Sequence, residues 1–258
     1  MPFEPHDDLT TPPDETVLWR YMDFAQFIQM IETEALWFLR LDQFEDPLEA
    51  TLTNAEMDSI ESIYQRSTGL LRTNAEEYGD IPDWMRKTTF IHCWRAGVGQ
   101  SLAMWDLYGK KGNGTIAVKS SIGILKDELA ATNGAIRIAQ INYIDWESEA
   151  LSHHPLQLCA RKEKSYEYEA EVRAIILLQD DESWIDEITD KTTPAIPIQI
   201  NIQKLITEVV LGPRERPWVA TLVKDVMKRY GLQKPLKVSN KLTPRLKGPV
   251  SNRFGPTT

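Results

Sequence analysis

Apolar positions recur along the chain at two spacings, and the spacings divide it into elements. In residues 17–21, Val17, Trp19 and Tyr21 share one parity and Leu18 and Arg20 the other, the period of a strand. Phe24, Phe27, Ile28 and Ile31 follow at i, i+3, i+4 and i+7, which predicts an amphipathic helix with Asp23 as its N-cap. Apolar runs predict further strands at 36–39, 88–94, 115–120, 135–143, 196–202, 206–211 and 236–239. Helices are expected over 51–87 as a mostly polar insertion, over 101–108 with Ser101 as cap, and over 122–131, 150–168 and 217–230, the last stopped by Gly231. Asp46 before Pro47 reads as a turn or as the cap of a new helix. Residues 1–15 read as an irregular arm, 180–193 as an acidic loop and 243–258 as a loose basic tail. Strands outnumber helices and their order is mixed. The expectation is therefore an α+β fold over 16–242, a single domain with a mixed, largely antiparallel central sheet flanked by helices.

The stretch 161–178 departs from a plain core strand. Glu169, Glu171 and Arg173 fall on one parity and Ala170, Val172 and Ala174 on the other, ahead of an apolar run at 175–178. A strand from 169 onward would carry two carboxylates and a guanidinium on one face. Such a face is either a structural ion-pair set or a catalytic carboxylate pair at the edge of a cleft, with Arg173 orienting it.

Composition narrows the classes. The 258 residues are 42% hydrophobic and 26% charged, ordinary values for a folded globular chain. The formal charge of −9 argues against a general nucleic-acid coat. Basic residues nevertheless crowd the C-terminus, at Lys224, Lys228, Arg229, Lys234, Lys237, Lys241, Arg245, Lys247 and Arg253. They either balance the acidic body or meet an acidic partner. Two cysteines suit a reducing compartment, and neither a signal peptide nor a membrane-length apolar run is read, so a cytoplasmic protein without membrane contact is expected. The eight tryptophans exceed expectation and suit the walls of a cleft.

Several motifs fail on spacing. Gly109, Gly112 and Gly114 with Lys110 and Lys111 lack the order of a phosphate loop and lie between a helix and a strand. His92, Cys93, His153, His154 and Cys159 offer no CxxC or HExxH pair, and no metal is expected. A metal-dependent nuclease could draw on Asp46, Glu169 and Glu171, but Arg173 stands where a lysine would help.

Phrases in a particular order carry a resemblance. They are Leu18-Trp19-Arg20-Tyr21, Leu36-Trp37-Phe38, Phe44-Glu45-Asp46-Pro47-Leu48-Glu49, Cys93-Trp94, Ser101 with Met104-Trp105-Asp106-Leu107-Tyr108-Gly109, Lys164 through Arg173, Leu211-Gly212-Pro213 and Val238-Ser239. Together they resemble a mostly bacterial family defined only as domain of unknown function 2971. More distantly, the chain is similar to the ADP-ribosyltransferase fold. There, an early strand carries an aromatic residue followed by Arg or His, a middle element supplies Ser or Tyr, and a late strand bears the catalytic Glu. The resemblance implies that Trp19, Arg20 and Tyr21, with Ser101, Trp105 and Tyr108, bind NAD as a substrate, Ser120-Ser121 being a second option for the middle position. It implies Glu171 as the catalytic carboxylate and Glu169 as its helper, with Asp46, Glu49, Trp94, Tyr166 and Arg173 as further residues of the cleft. The implied activity is transfer of ADP-ribose to an unknown protein or nucleic-acid acceptor, as in a toxin or a phage-defence effector. The alternatives are a non-catalytic ligand or nucleic-acid sensor of the same fold, and the metal-dependent nuclease.

Overall fold

The computed structural model describes residues 6–109, 114–130, 135–149, 154–178 and 193–242. Residues 110–113 of the glycine-rich turn, 180–192 of the acidic segment, His153 and the tail from 243 lie outside them.

The chain opens with strand β1 (Val17–Asp23), helix α1 (Phe24–Thr33) and strand β2 (Ala35–Arg40). Asp23 caps α1 in a full capping box with Gln26, which satisfies two backbone donors at once. The stripe read from the sequence packs inward through Phe27 and Ile31, joined by Met30. A short 3-10 turn (Leu41–Gln43) and an irregular segment lead to a helical hairpin, α2 (Asn54–Arg66) and α3 (Leu70–Thr88), which is the expected polar insertion. Then come β3 (Thr89–Ala96), α4 (Leu102–Gly109), β4 (Thr115–Ser121), α5 (Ile122–Leu129), β5 (Arg137–Gln140), β6 (Asn142–Ile144), α6 (Pro155–Leu158), β7 (Arg161–Glu163), a second 3-10 helix (Lys164–Glu169) and β8 (Glu171–Leu177). The last elements are β9 (Ala195–Gln199), α7 (Ile202–Leu205), β10 (Glu208–Leu211), α8 (Pro217–Arg229) and β11 (Leu236–Val238).

Among the described residues, nine strands form one open sheet. Its path runs β11-β10-β4-β1-β3-β2-β9, and β8 joins β3 to β5. Every pairing in it is antiparallel except β10 with β11, so the sheet is mixed and mostly antiparallel within one α+β domain. β6 and β7 make a separate parallel ribbon. Leu18, Met22, Phe38, Val172, Ala174 and Ile176 point into the main core beneath α1, α5 and α8. The opposite face carries smaller clusters around Ile91, Ile175 and Met85, and around Trp19, Tyr21 and Trp105.

One irregularity places a cleft. β8 pairs with β3 along the whole of Thr89–Arg95, which fills one edge of β3. The other edge is shared. β1 pairs there only at Arg95 and Ala96, and β2 only at Phe90 and Ile91. The two strands therefore part around residues 92–94. Arg20 closes part of the breach, its Nη1 donating 2.7 Å to the carbonyl of Cys93.

Three expectations need correction. The helix expected over 150–168 is, in the described part, one turn of α-helix, a strand and a 3-10 helix, because Pro155 starts a turn that ends at Cys159. The strand expected from 169 begins at Glu171, since Ala170 takes a left-handed conformation (φ 43°) that interrupts extended pairing. The strand expected over 135–143 is divided between β5 and β6, which belong to different sheets. No helix among the described residues is long and apolar enough to cross a membrane.

Candidate functional site

A cleft of about 400 Å³ opens where β1 and β2 diverge. β1 supplies Trp19, Arg20 and Tyr21, and β2 supplies Trp37. Cys93, Trp94 and Arg95 come from β3, and Tyr108 from α4. Phe44, Asp46 and Glu49 enter from the segment after the first 3-10 turn. The far wall holds Lys162, Tyr166, Glu169 and Glu171. Residues far apart in sequence thus meet because one strand edge is shared by two diverging neighbours.

The acidic wall is a coupled network. The fully buried Arg173 donates to both oxygens of Glu49, at 2.8 and 2.7 Å. Its Nε donates 2.7 Å to Glu171 Oε1 and its Nη2 3.2 Å to Glu171 Oε2. A fifth bond, from Nη1 to the Cys159 carbonyl (2.9 Å), completes its donor set. Lys162 Nζ lies 2.8 Å from Glu169, 3.4 Å from Glu171 and 3.5 Å from Glu49, with Tyr166 beneath it at 4.6 Å from the ring centre. Three carboxylates thus face two cations, leaving one negative charge in excess. Tyr143 on β6 accepts a 2.7 Å bond from the backbone N–H of Glu171, which ties the ribbon bearing Lys162 to the start of β8.

The two glutamates at the cleft are driven apart electrostatically. Burial pushes Glu171 up, but the charges of Arg173 and Lys162 outweigh it and hold the carboxyl at about 2. Burial dominates at Glu169, aided by the charge of Glu171, and raises it above the usual range despite the Lys162 bond. Glu171 is therefore a fixed anion and Glu169 the group suited to exchange a proton. The Cys93 thiol, beside Glu171, is pushed well up by burial and by that carboxylate, so it is no nucleophile at neutral pH. Burial likewise raises Tyr108, against the lowering effect of Arg20, and the charges of Glu169 and Glu171 raise it further.

Trp37 Nε1, Trp94 Nε1 and Asp46 Oδ2 are buried without hydrogen-bond partners among the described residues, and all three residues line the cleft. Buried polar atoms are seldom left unpaired, so the cleft has bonding capacity reserved for a ligand or for water. Asp46 Oδ1, by contrast, is taken by the N–H of Leu48 in a turn, which is the turn reading of Asp46-Pro47.

Most of the expected residues converge. Glu171 and Glu169 line the cleft with Arg20, Trp19, Tyr21, Tyr108, Asp46, Glu49, Trp94 and Tyr166, while Arg173 lies beneath them. Ser101 and Trp105 do not line it. Ser101 caps α4, its Oγ accepting from Met104 N–H at 3.4 Å. Trp105 is core, edge-on to Tyr21 at 4.9 Å, with its Nε1 on Gln100. Ser120 is buried on the Leu205 carbonyl and Ser121 caps α5, so neither reaches the cleft. Glu169 is not on the strand with Glu171 but ends the 3-10 helix, and Lys162 brings the two carboxylates together. Lys162 and Trp37 were not anticipated. Lys162 sits in a highly charged run, and Trp37 has the parity opposite to Leu36 and Phe38; only the fold shows that both point into the same space. The chain matches no family model, no curated protein and no solved structure.

Proposed function

We propose that the cleft binds NAD and cleaves its nicotinamide–ribose bond, as an ADP-ribosyltransferase or NAD glycohydrolase. One observation carries this reading: Arg20, Tyr108, Glu169 and Glu171 come from four separate elements and line one cleft. Breaking that bond builds positive charge on the ribose ring. A carboxylate held ionised beside it stabilises the transition state more than the ground state. Glu171 meets that need, and Glu169 accepts the proton of the attacking hydroxyl or water. The part of the Arg20 guanidinium not bound to Cys93 serves the diphosphate. The excess negative charge and the walls of Trp19, Trp37 and Tyr108 suit a cationic aromatic ring. Tyr108 takes the middle position of the ADP-ribosyltransferase pattern in place of Ser101. We extend the proposal to the fold family and to membership of the domain of unknown function 2971 family.

A second reading has its own support. Both oxygens of Glu171 already accept bonds from Arg173, which suits a binding module that holds a nucleotide without cleaving it. A divalent-metal nuclease drawing on Asp46, Glu169 and Glu171 fits less well, because Glu171 is engaged by Arg173 and Lys162 and Glu169 by Lys162.

The two readings separate in one assay. Purified protein is incubated with NAD, and free nicotinamide and calorimetric binding are both followed. Turnover that falls at least about 100-fold in Glu171→Gln and in Glu169→Gln, with thermal unfolding still cooperative, supports the enzyme. Saturable binding with no nicotinamide released supports the binding module. Neither binding nor release overturns both.

A further inference from the structure

We propose a second site, independent of the cleft, in which His6, Asp8 and His154 bind one divalent transition ion of the zinc class and clasp the N-terminal arm to the turn that precedes β7. Asp8 Oδ2 stands between two imidazoles, 3.5 Å from His6 Nδ1 and 3.9 Å from His154 Nδ1. The three ligand atoms all lie within 4.8 Å of one another, and the rings are 4.5 Å apart, tilted by 48°. Those separations are long for hydrogen bonds. They approach the spacing of neighbouring ligands around zinc, about 3.4 Å for bonds of about 2.0–2.2 Å. A modest turn of the half-exposed rings closes the difference. Two imidazoles and one carboxylate form a donor set that prefers zinc-like ions to calcium or magnesium.

The surroundings favour the same assignment. Gln157 Nε2 donates 3.3 Å to Asp8 Oδ1 and so orients the carboxylate with Oδ2 toward the rings. The backbone N–H groups of Asp8 and Leu156 point at His6 Nδ1 and His154 Nδ1, each at 3.3 Å, so both nitrogens present lone pairs. An ion would take over these long, weak bonds. The arm is held independently, by Thr10 O on Gln140 N–H (2.8 Å) and Thr11 Oγ1 on the Ile138 carbonyl (2.6 Å), so His6 and Asp8 are already carried to His154. A cavity of about 540 Å³ borders Asp8 and Gln157.

The test uses the full chain without an affinity tag, stripped of metal and titrated calorimetrically with zinc, and separately with cobalt while its visible absorption is followed. One ion per chain is expected, with zinc raising the melting temperature. Asp8→Asn and His154→Ala are each expected to weaken binding by at least about 10-fold, and Gln157→Ala by less. Absence of binding in the wild type overturns the proposal, as does wild-type affinity in a His6→Ala/His154→Ala double variant. Because these side chains are partly exposed, cooperative unfolding of the variants at the wild-type temperature without zinc confirms that a loss is local.

Discussion

Replacing Arg173 with methionine removes a guanidinium that binds Glu49 and Glu171 in a space closed to water. Methionine fills much of the volume but leaves two buried carboxylates facing Lys162 alone. A loss of about 3–5 kcal/mol is expected, measured by urea unfolding at neutral pH. Acid tests the same network in another way. Glu171 is held at about 2 in the folded chain, below its ordinary value, so its stabilising contribution is complete above about pH 4.5. It is lost as the pH falls through 4.5 toward 2, on the order of 3 kcal/mol across that window. Unfolding free energy followed against pH should therefore drop steeply there in the wild type. A Glu171→Gln variant, less stable at neutral pH, should show a flatter acid limb. Equal slopes would mean that Glu171 is not the group that titrates.

At the scale of elements, a buried ion pair helps fasten the α2–α3 hairpin to the body, beside the apolar packing of Met85. Glu56 completes the capping box of α2 with Thr53 and also accepts both terminal nitrogens of Arg161, at 2.9 and 2.6 Å. Arg161 in turn lies over Trp146 and donates to the carbonyl of Thr51. In Glu56→Ala a cap is lost and a buried cation is stranded. Destabilisation of about 3–5 kcal/mol is expected, with amide exchange rising first in 54–88 and β1 and β3 still protected. Exchange rising uniformly would show that the hairpin is not a separate unit. This hairpin was legible from its long polar-helical pattern, and α1 from four apolar positions and a cap. The segment 150–168 was not legible, because Leu156, Leu158, Cys159 and Ala160 are all buried and follow neither the helical nor the strand period cleanly. Ala170 gave no signal either, since a left-handed alanine is held by its surroundings rather than chosen by its side chain.

For the whole molecule, the sequence conveyed the class of fold and most of the cleft. It did not convey why the cleft exists. Alternation in 17–21 and an apolar run at 36–39 assign two strands correctly, but nothing local says that both lie on the same edge of β3 and part there. The His6–Asp8–His154 group was invisible for the same reason: its members have no common spacing, and proximity comes only from the docked arm. The cleft as a unit also bears on ligand choice. Its aromatic walls and surplus negative charge favour a cationic ring over a neutral one of the same shape. If NAD is the ligand, the oxidised form should bind at least about 5-fold more tightly than NADH at low salt, and the ratio should shrink as ionic strength rises. Equal calorimetric affinities would remove the electrostatic argument for the nicotinamide end.

The divergence of β1 from β2 has a consequence for the way through the molecule. A smaller recess of about 190 Å³ lies by α1 and the buried His92, and it shares Arg20, Trp37 and Leu39 with the cleft. A continuous sheet is a wall, but here its backbone ladder is missing at one point and three side chains line both recesses. Arg20 then sits as a plug in the gap, held in its seat by the Cys93 carbonyl. Shortening it would thin the partition that Arg20, Trp37 and Leu39 make between the two recesses.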